Sequence, residues 1–388
     1  MPRMMLFALI AAFLPAELIA DEPIYRDELI FPLHPKHNHA PAIVECPDGT
    51  LFVSWYRGSG ERTADDVAVY GAHLRKGATH WTDAFSIIDN PGFPDGNTAM
   101  FVDSKQRLWL FWPVIIANTW ESCLTNYRVS SNYSRPGVVE WEWQGAIYLK
   151  PKDFQKTMHR ALDLRLQGND VPRNNEQIEL WKKLIDDKLS QRLGWQPRCK
   201  PTVLPSGRIL LPLYSDTYSV SLMAISDDSG KTWYASGPLA GFGSIQPAVL
   251  RRRNGRLVAY MRENGPLERI RTSESHDDGL TWGPVGASEL PNPGSGLDGM
   301  TLKDGHWLLV YNDTTEERHS LAVSLSSDEG RTWKWTRHLE HHDSGRYHYP
   351  AVTQGSDETI HAIYSYHVKG GETMKHAAFN VAWIKEKE

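Results

Sequence analysis

The octets SDDSGKTW at Ser226 to Trp233, SHDDGLTW at Ser275 to Trp282 and SSDEGRTW at Ser326 to Trp333 are three copies of one pattern, Ser-x-Asp-x-Gly-x-Thr-Trp, about fifty residues apart. A repeat of roughly 40 to 50 residues is the length of a four-stranded propeller blade. Within the octet, Asp228, Asp277 and Asp328 can accept hydrogen bonds from the turn's own amides. Gly230, Gly279 and Gly330 can take backbone angles closed to other residues. Trp233, Trp282 and Trp333 are then expected to bury their rings between neighbouring sheets. One active site cannot use three symmetric aspartates, so the octet reads as architecture.

A second signal counts the blades. An apolar strand, a tight turn and another apolar strand recur at Ala42 to Gly49, Met100 to Gln106, Thr202 to Gly207, Ala248 to Gly255, Met300 to Gly305 and Ala351 to Asp357. Turns that tolerate positive φ between alternating β-branched and aromatic residues are strong hairpin evidence. Six hairpins predict an all-β, six-bladed β-propeller. The interval between the second and third is about twice the others, and residues 151–195 read as a helical insertion. There Ile178, Trp181, Leu184, Ile185, Leu189 and Leu193 fall on one helical face, with Asn174 or Asn175 as cap and Gly194 as stop. The insertion either lids the pole of the ring or packs on its side.

Composition bounds the partners. The net charge is -5 over 388 residues, and the densest basic cluster, Arg251-Arg252-Arg253, reads as a solvated turn, so nucleic acid is not expected. The three cysteines, Cys46, Cys123 and Cys199, lack metal-ligand spacing and cannot all pair, so neither a metal nor a disulfide framework is expected, and no cofactor. The apolar run from Met4 to Leu14, behind one arginine and ahead of small residues at 20, predicts a signal peptide over residues 1–20. The propeller then occupies residues 21–388 of a secreted or periplasmic protein without a membrane span. Oligomeric state is not legible.

In a propeller the innermost strands converge on one axis, and their first residues line one pole. Those heads read as His39, Asn97, Lys200, Gln246, Asp298 and Tyr349, a polar ring suited to a polar ligand.

The octet resembles the Asp box of the sialidase superfamily. That resemblance implies a sialidase-type propeller and a site in which three arginines hold a substrate carboxylate, an aspartate is the acid/base, and a tyrosine assisted by a glutamate attacks. Carried onto this sequence, it implies Arg262 and Arg318 as carboxylate ligands, Asp66 as acid/base and Tyr349 as nucleophile. Two positions depart from the family pattern. His39 stands where the first arginine precedes Ile-Pro-Ala-Leu, and Gln246 stands where the glutamate would be. Glutamine can orient the Tyr349 hydroxyl but cannot take its proton.

Three functions follow as expectations. The first is an exported sialidase-like glycoside hydrolase on sialic acid or a similar acidic glycan, with Arg262, Arg318, Gln246, Asn97, Lys200 and Asp298 lining the substrate site. The second is a lyase on a uronate glycoside, with His39 as base and Tyr349 as acid. The third is a propeller that binds carbohydrate without turnover.

Overall fold

The computed structural model describes residues 22–167 and 174–386. The signal-peptide expectation falls outside them. Six antiparallel sheets form the ring, and all but the last run in chain order from innermost to outermost strand. Blade 1 starts with His37–Glu45, blade 2 with Ala99–Val102, blade 4 with Ser244–Arg251, blade 5 with Asp298–Thr301 and blade 6 with Arg346–Gln354. Blade 3 differs because its inner strand is broken into Gln196–Pro197 and Thr202–Val203, both paired with Ile209–Ser215. The last blade takes its outer strand from the start of the chain. Tyr25–Leu29 pairs antiparallel with Gly371–Phe379, which ties the two ends of the ring together.

Apolar strand faces pack blade against blade, so the core is divided into wedges around the axis. One wedge joins Leu308, Val310, Leu321 and Val323 of blade 5 to Val352, Ile360, Ala362 and Tyr364 of blade 6. Cys46, Cys123 and Cys199 are free and buried, each serving as a small hydrophobe.

The octets close the turns at the end of each third strand, at the pole away from the heads of the inner strands. In the first, Asp228 accepts from the Thr232 amide at 2.9 Å and hydroxyl at 2.6 Å, and Ser226 Oγ accepts from the Gly230 amide at 2.8 Å. The other two copies repeat this. Trp233, Trp282 and Trp333 are half-buried rather than buried. They still bridge blades: Trp233 meets Phe111 of blade 2 at 5.8 Å, and Trp333 meets Tyr260 of blade 4 at 5.7 Å.

The insertion is two helices, α1 (Phe154–Gln167) and α2 (Asn175–Asp186). Asn174 caps α2 by accepting from the Glu176 and Gln177 amides. The helix ends at Asp186, earlier than the predicted stop at Gly194, because Asp187 accepts from the Ser190 amide and hydroxyl, both at 2.7 Å, and starts a new turn. The insertion packs at the rim of the head pole. Phe154, Met158 and Leu162 of α1 and Ile185 of α2 join Trp195, Tyr218 and Phe242, and Tyr218 donates to the Leu184 carbonyl at 2.7 Å.

Candidate functional site

Each inner hairpin has one left-handed turn residue: Gly49, Gln106, Gly207, Gly255, Gly305 and Glu358. Nine residues before each stands one equivalent position per blade, which gives the ring Ala40, Asn97, Arg198, Gln246, Gly296 and Tyr349. This corrects the predicted heads on three blades. His39 sits one residue ahead of the ring, and Lys200 and Asp298 sit two residues past it. Lys200 and Asp298 are spent on each other in an ion pair at 2.6 Å, where Asp298 also accepts from the Val352 amide at 2.9 Å. They tie blades together below the pole and do not line it.

On three blades the ring residue precedes a Pro-Ala pair and takes a left-handed backbone: Ala40 at φ 53°, Gln246 at 58° and Tyr349 at 55°. Each coincides with a shift in ladder register, between His39 and Ala42, Ile245 and Ala248, and His348 and Ala351. Such bulges re-aim a side chain, and a bulky residue held left-handed costs roughly 1–2 kcal/mol. Strain of this kind concentrates at functional sites.

The strained Tyr349 is the centre of the site. Its phenol oxygen accepts from Arg262 Nη1 at 2.6 Å and from Gln246 Nε2 at 3.1 Å. Three guanidinium groups stand around its ring, Arg198 at 4.9 Å, Arg318 at 5.8 Å and Arg262 at 5.9 Å from the centroid. The His39 ring packs against it at 4.2 Å. Gly296 leaves the space opposite: a Cβ there would lie 2.9 Å from Gln246 Oε1 and 3.5 Å from the Tyr349 ring.

Arg198 was not among the residues read from sequence. It is 1% exposed, donates once to the Pro350 carbonyl at 2.8 Å, and leaves Nε and Nη1 without a partner. Counting nine residues back from Gly207 finds it. Among the described residues, none of Arg198, Arg262 and Arg318 is in an ion pair; Arg318 donates to the Gly294 carbonyl and Arg262 also to Asn264. Burying cations without counter-charges is costly, and an anionic ligand would supply the missing charge.

The structure brings Gln246, Arg262, Arg318, His39 and Tyr349 together. Asn97 lies on the ring but is used in the wall, donating to Gln196 and Tyr214. Asp66 lies on the exposed loop after Gly58. Its carboxylate holds Lys36 at 2.8 Å and the Ser59 amide and hydroxyl, and the Lys36 contact with these bonds keeps it well below the usual carboxylate range. A second carboxyl is tuned the opposite way. Asp216, in the turn after Ile209–Ser215, accepts from Gln196 at 2.9 Å, and burial raises it to about 6.

The six antiparallel sheets form a six-bladed propeller with the fold of sialidase propellers, and a BNR repeat-like domain is matched at residues 191–362. Solved structures agree on the fold. A Dyadobacter fermentans protein of unknown function superposes with a TM-score of 0.69 at 15% identity, covering 92% of this chain and 99% of that one. The NanB sialidase of Streptococcus pneumoniae gives 0.67 at 11% identity, covering 92% and 71%. The Ruminococcus gnavus intramolecular trans-sialidase gives 0.64 at 12%, covering 91% and 96%. No curated protein sequence matches. Among the described residues no helix is long and apolar enough to cross a membrane.

Proposed function

We propose that this pole binds a carboxylate-bearing sugar through Arg198, Arg262 and Arg318, and that the chain is an exported glycosidase of sialidase type with Tyr349 facing the reacting carbon. The observation that carries this reading is the set of three guanidinium groups around one phenol with no carboxylate paired to them among the described residues. A planar carboxylate matches the guanidinium fork, and the NanB sialidase shares the fold. Fold alone does not fix a reaction, so the argument rests on the site.

Proton handling separates the reactions. For attack, Tyr349 must lose its proton, yet both groups bonded to its oxygen are donors. Asp66 is ionised and tied to Lys36, so it serves as an acid only once a ligand displaces that lysine. Asp216, raised to about 6, is the better-poised carboxyl for carrying a proton near neutral pH.

One observation favours elimination as the second reading. A phenol hydroxyl is also a group that can give its proton to a leaving oxygen, and His39, held neutral by burial, packs beside it. Incubation of the purified chain with a sialoside and with glucuronate-bearing glycans tests both. Release of free acidic sugar without ultraviolet absorbance supports the glycosidase. Absorbance from a new C4–C5 double bond without sialic acid overturns it in favour of the lyase. Binding with neither signal leaves a carbohydrate-binding propeller.

A further inference from the structure

Beside the arginines lies a group of histidines that the sugar reading does not use. His39 and His348 stand at the same register in adjacent blades, each just before a left-handed ring residue, and His367 is the penultimate residue of the second strand of blade 6, Ile360–Val368. One nitrogen from each falls within 4.8 Å of the others. The rings are 4.9 Å apart between His39 and His348 and 4.5 Å apart between His348 and His367. No hydrogen bond links them, whereas His361 and His376 elsewhere in blade 6 are joined at 3.0 Å.

The outer bonds leave each imidazole a lone pair to spare. His367 Nε2 faces the Asn38 carbonyl at 2.9 Å and the Glu372 carboxylate at 3.2 Å, both acceptors only, so Nε2 carries the hydrogen and Nδ1 is bare. His39 Nδ1 meets Ser365 Oγ at 2.9 Å; with Nδ1–H donated to that hydroxyl, Nε2 is the bare nitrogen. His348 has no hydrogen-bond partner among the described residues, and its Nδ1 is fully buried. A buried polar atom without a partner is rare, and here it points to an absent one. Orientation of a ligating histidine by a carbonyl or carboxylate on its far nitrogen is the usual outer support of a metal site.

We propose that His39, His348 and His367 bind one divalent first-row transition-metal ion of the zinc class. Imidazole nitrogens suit zinc, copper, iron and nickel, and three histidines leave a coordination position open. The neighbouring trio of His37, His367 and Glu372 is not the site, because it is closed by its own bonds. His37 donates to Glu372 at 2.9 Å and faces Glu61 at 3.5 Å, so its ring nitrogens are turned to carboxylates. Arg318 adds positive charge near the ion, and an anionic ligand on the arginines would offset it.

Metal binding stands apart from the glycosidase reading; only its chemical use rests on that reading. A hydroxide on such an ion could accept the Tyr349 proton, becoming water as the phenolate forms, and so supply the base that Gln246 cannot be. With Nε2 bound to metal, His39 is no longer a base for elimination.

The test uses the full chain stripped with a chelator, then titrated with zinc chloride by calorimetry and, separately, with cobalt(II) by visible absorbance. The expected result is one zinc per chain, retained through gel filtration, and a cobalt spectrum of a low-coordinate nitrogen site. His348→Phe, which keeps the ring volume, should lose affinity at least about a hundredfold, while the exposed-site change His342→Ala binds as the parent does. A parent chain that holds no zinc overturns the proposal, as does a folded His348→Phe that holds as much as the parent. Should that variant fail to fold, His367→Gln gives the same reading.

Discussion

At the residue scale the site turns on which groups face the Tyr349 oxygen. Gln246 is a donor there, and its Oε1 has no partner. Gln246→Glu places a carboxylate where a proton acceptor is missing, so hydrolysis of an accepted substrate should rise by at least about tenfold, since a positioned base contributes more than that. The same change introduces a charge among the arginines, so the Kd for the acidic sugar should weaken. A rate that falls with the change would speak for elimination, in which Tyr349 must keep its proton to give. Arg262, Arg318, Gln246 and Tyr349 were legible because the family resemblance carries over position by position. Arg198 was not, because neither the resemblance nor a Pro-Ala pair marks its strand; blade 3 has Arg198-Cys199-Lys200-Pro201, and the later proline drew the reading two residues along.

At the scale of elements, the bulged inner strands do the positioning. Pro41, Pro247 and Pro350 follow left-handed residues on blades 1, 4 and 6, and the register shift turns Gln246 and Tyr349 toward the axis. Gly296 on blade 5 is the matching vacancy. In Gly296→Ala the new methyl presses on Gln246 and the Tyr349 ring. Thermal unfolding should show a loss of about 1–3 kcal/mol, the usual cost of overpacking, together with weaker sugar binding. Unchanged stability and binding would mean that the ring closes less tightly than these distances require. Turn chemistry made the hairpins readable, whereas the helix boundary at Asp186 depended on a side-chain cap competing with an apolar periodicity that ran on to Leu193.

At the scale of the whole molecule, buried titratable groups shape stability against pH. His361 is lowered to about 3 and His73 is lowered, both chiefly by burial. Each is neutral in the fold, so its contribution is complete above the unfolded imidazole value and is lost as pH falls below about 6.5. Asp95 and Asp216, raised to about 6 by burial, act the other way and disfavour the fold as pH rises from about 4 to 6. Asp216→Asn should therefore be more stable than the parent at pH 7, by about 1–3 kcal/mol, and should lose stability more steeply between pH 7 and 5. Equal melting curves for the two chains across that range would contradict the burial of Asp216. The six blades and their order were readable because repeats state the architecture several times over. The counter-charges of the pole were not, since they depend on which strands the closed ring brings side by side.

The central claim is that the pole recognises a carboxylate. Calorimetric titration of the chain, and of Arg198→Met, with an acidic sugar and with its carboxamide tests it most directly. The account predicts that the acid binds, that the amide binds at least about tenfold more weakly, and that Arg198→Met erases most of the difference while keeping the fold. Equal affinity for acid and amide, or an undiminished preference in Arg198→Met, would contradict it.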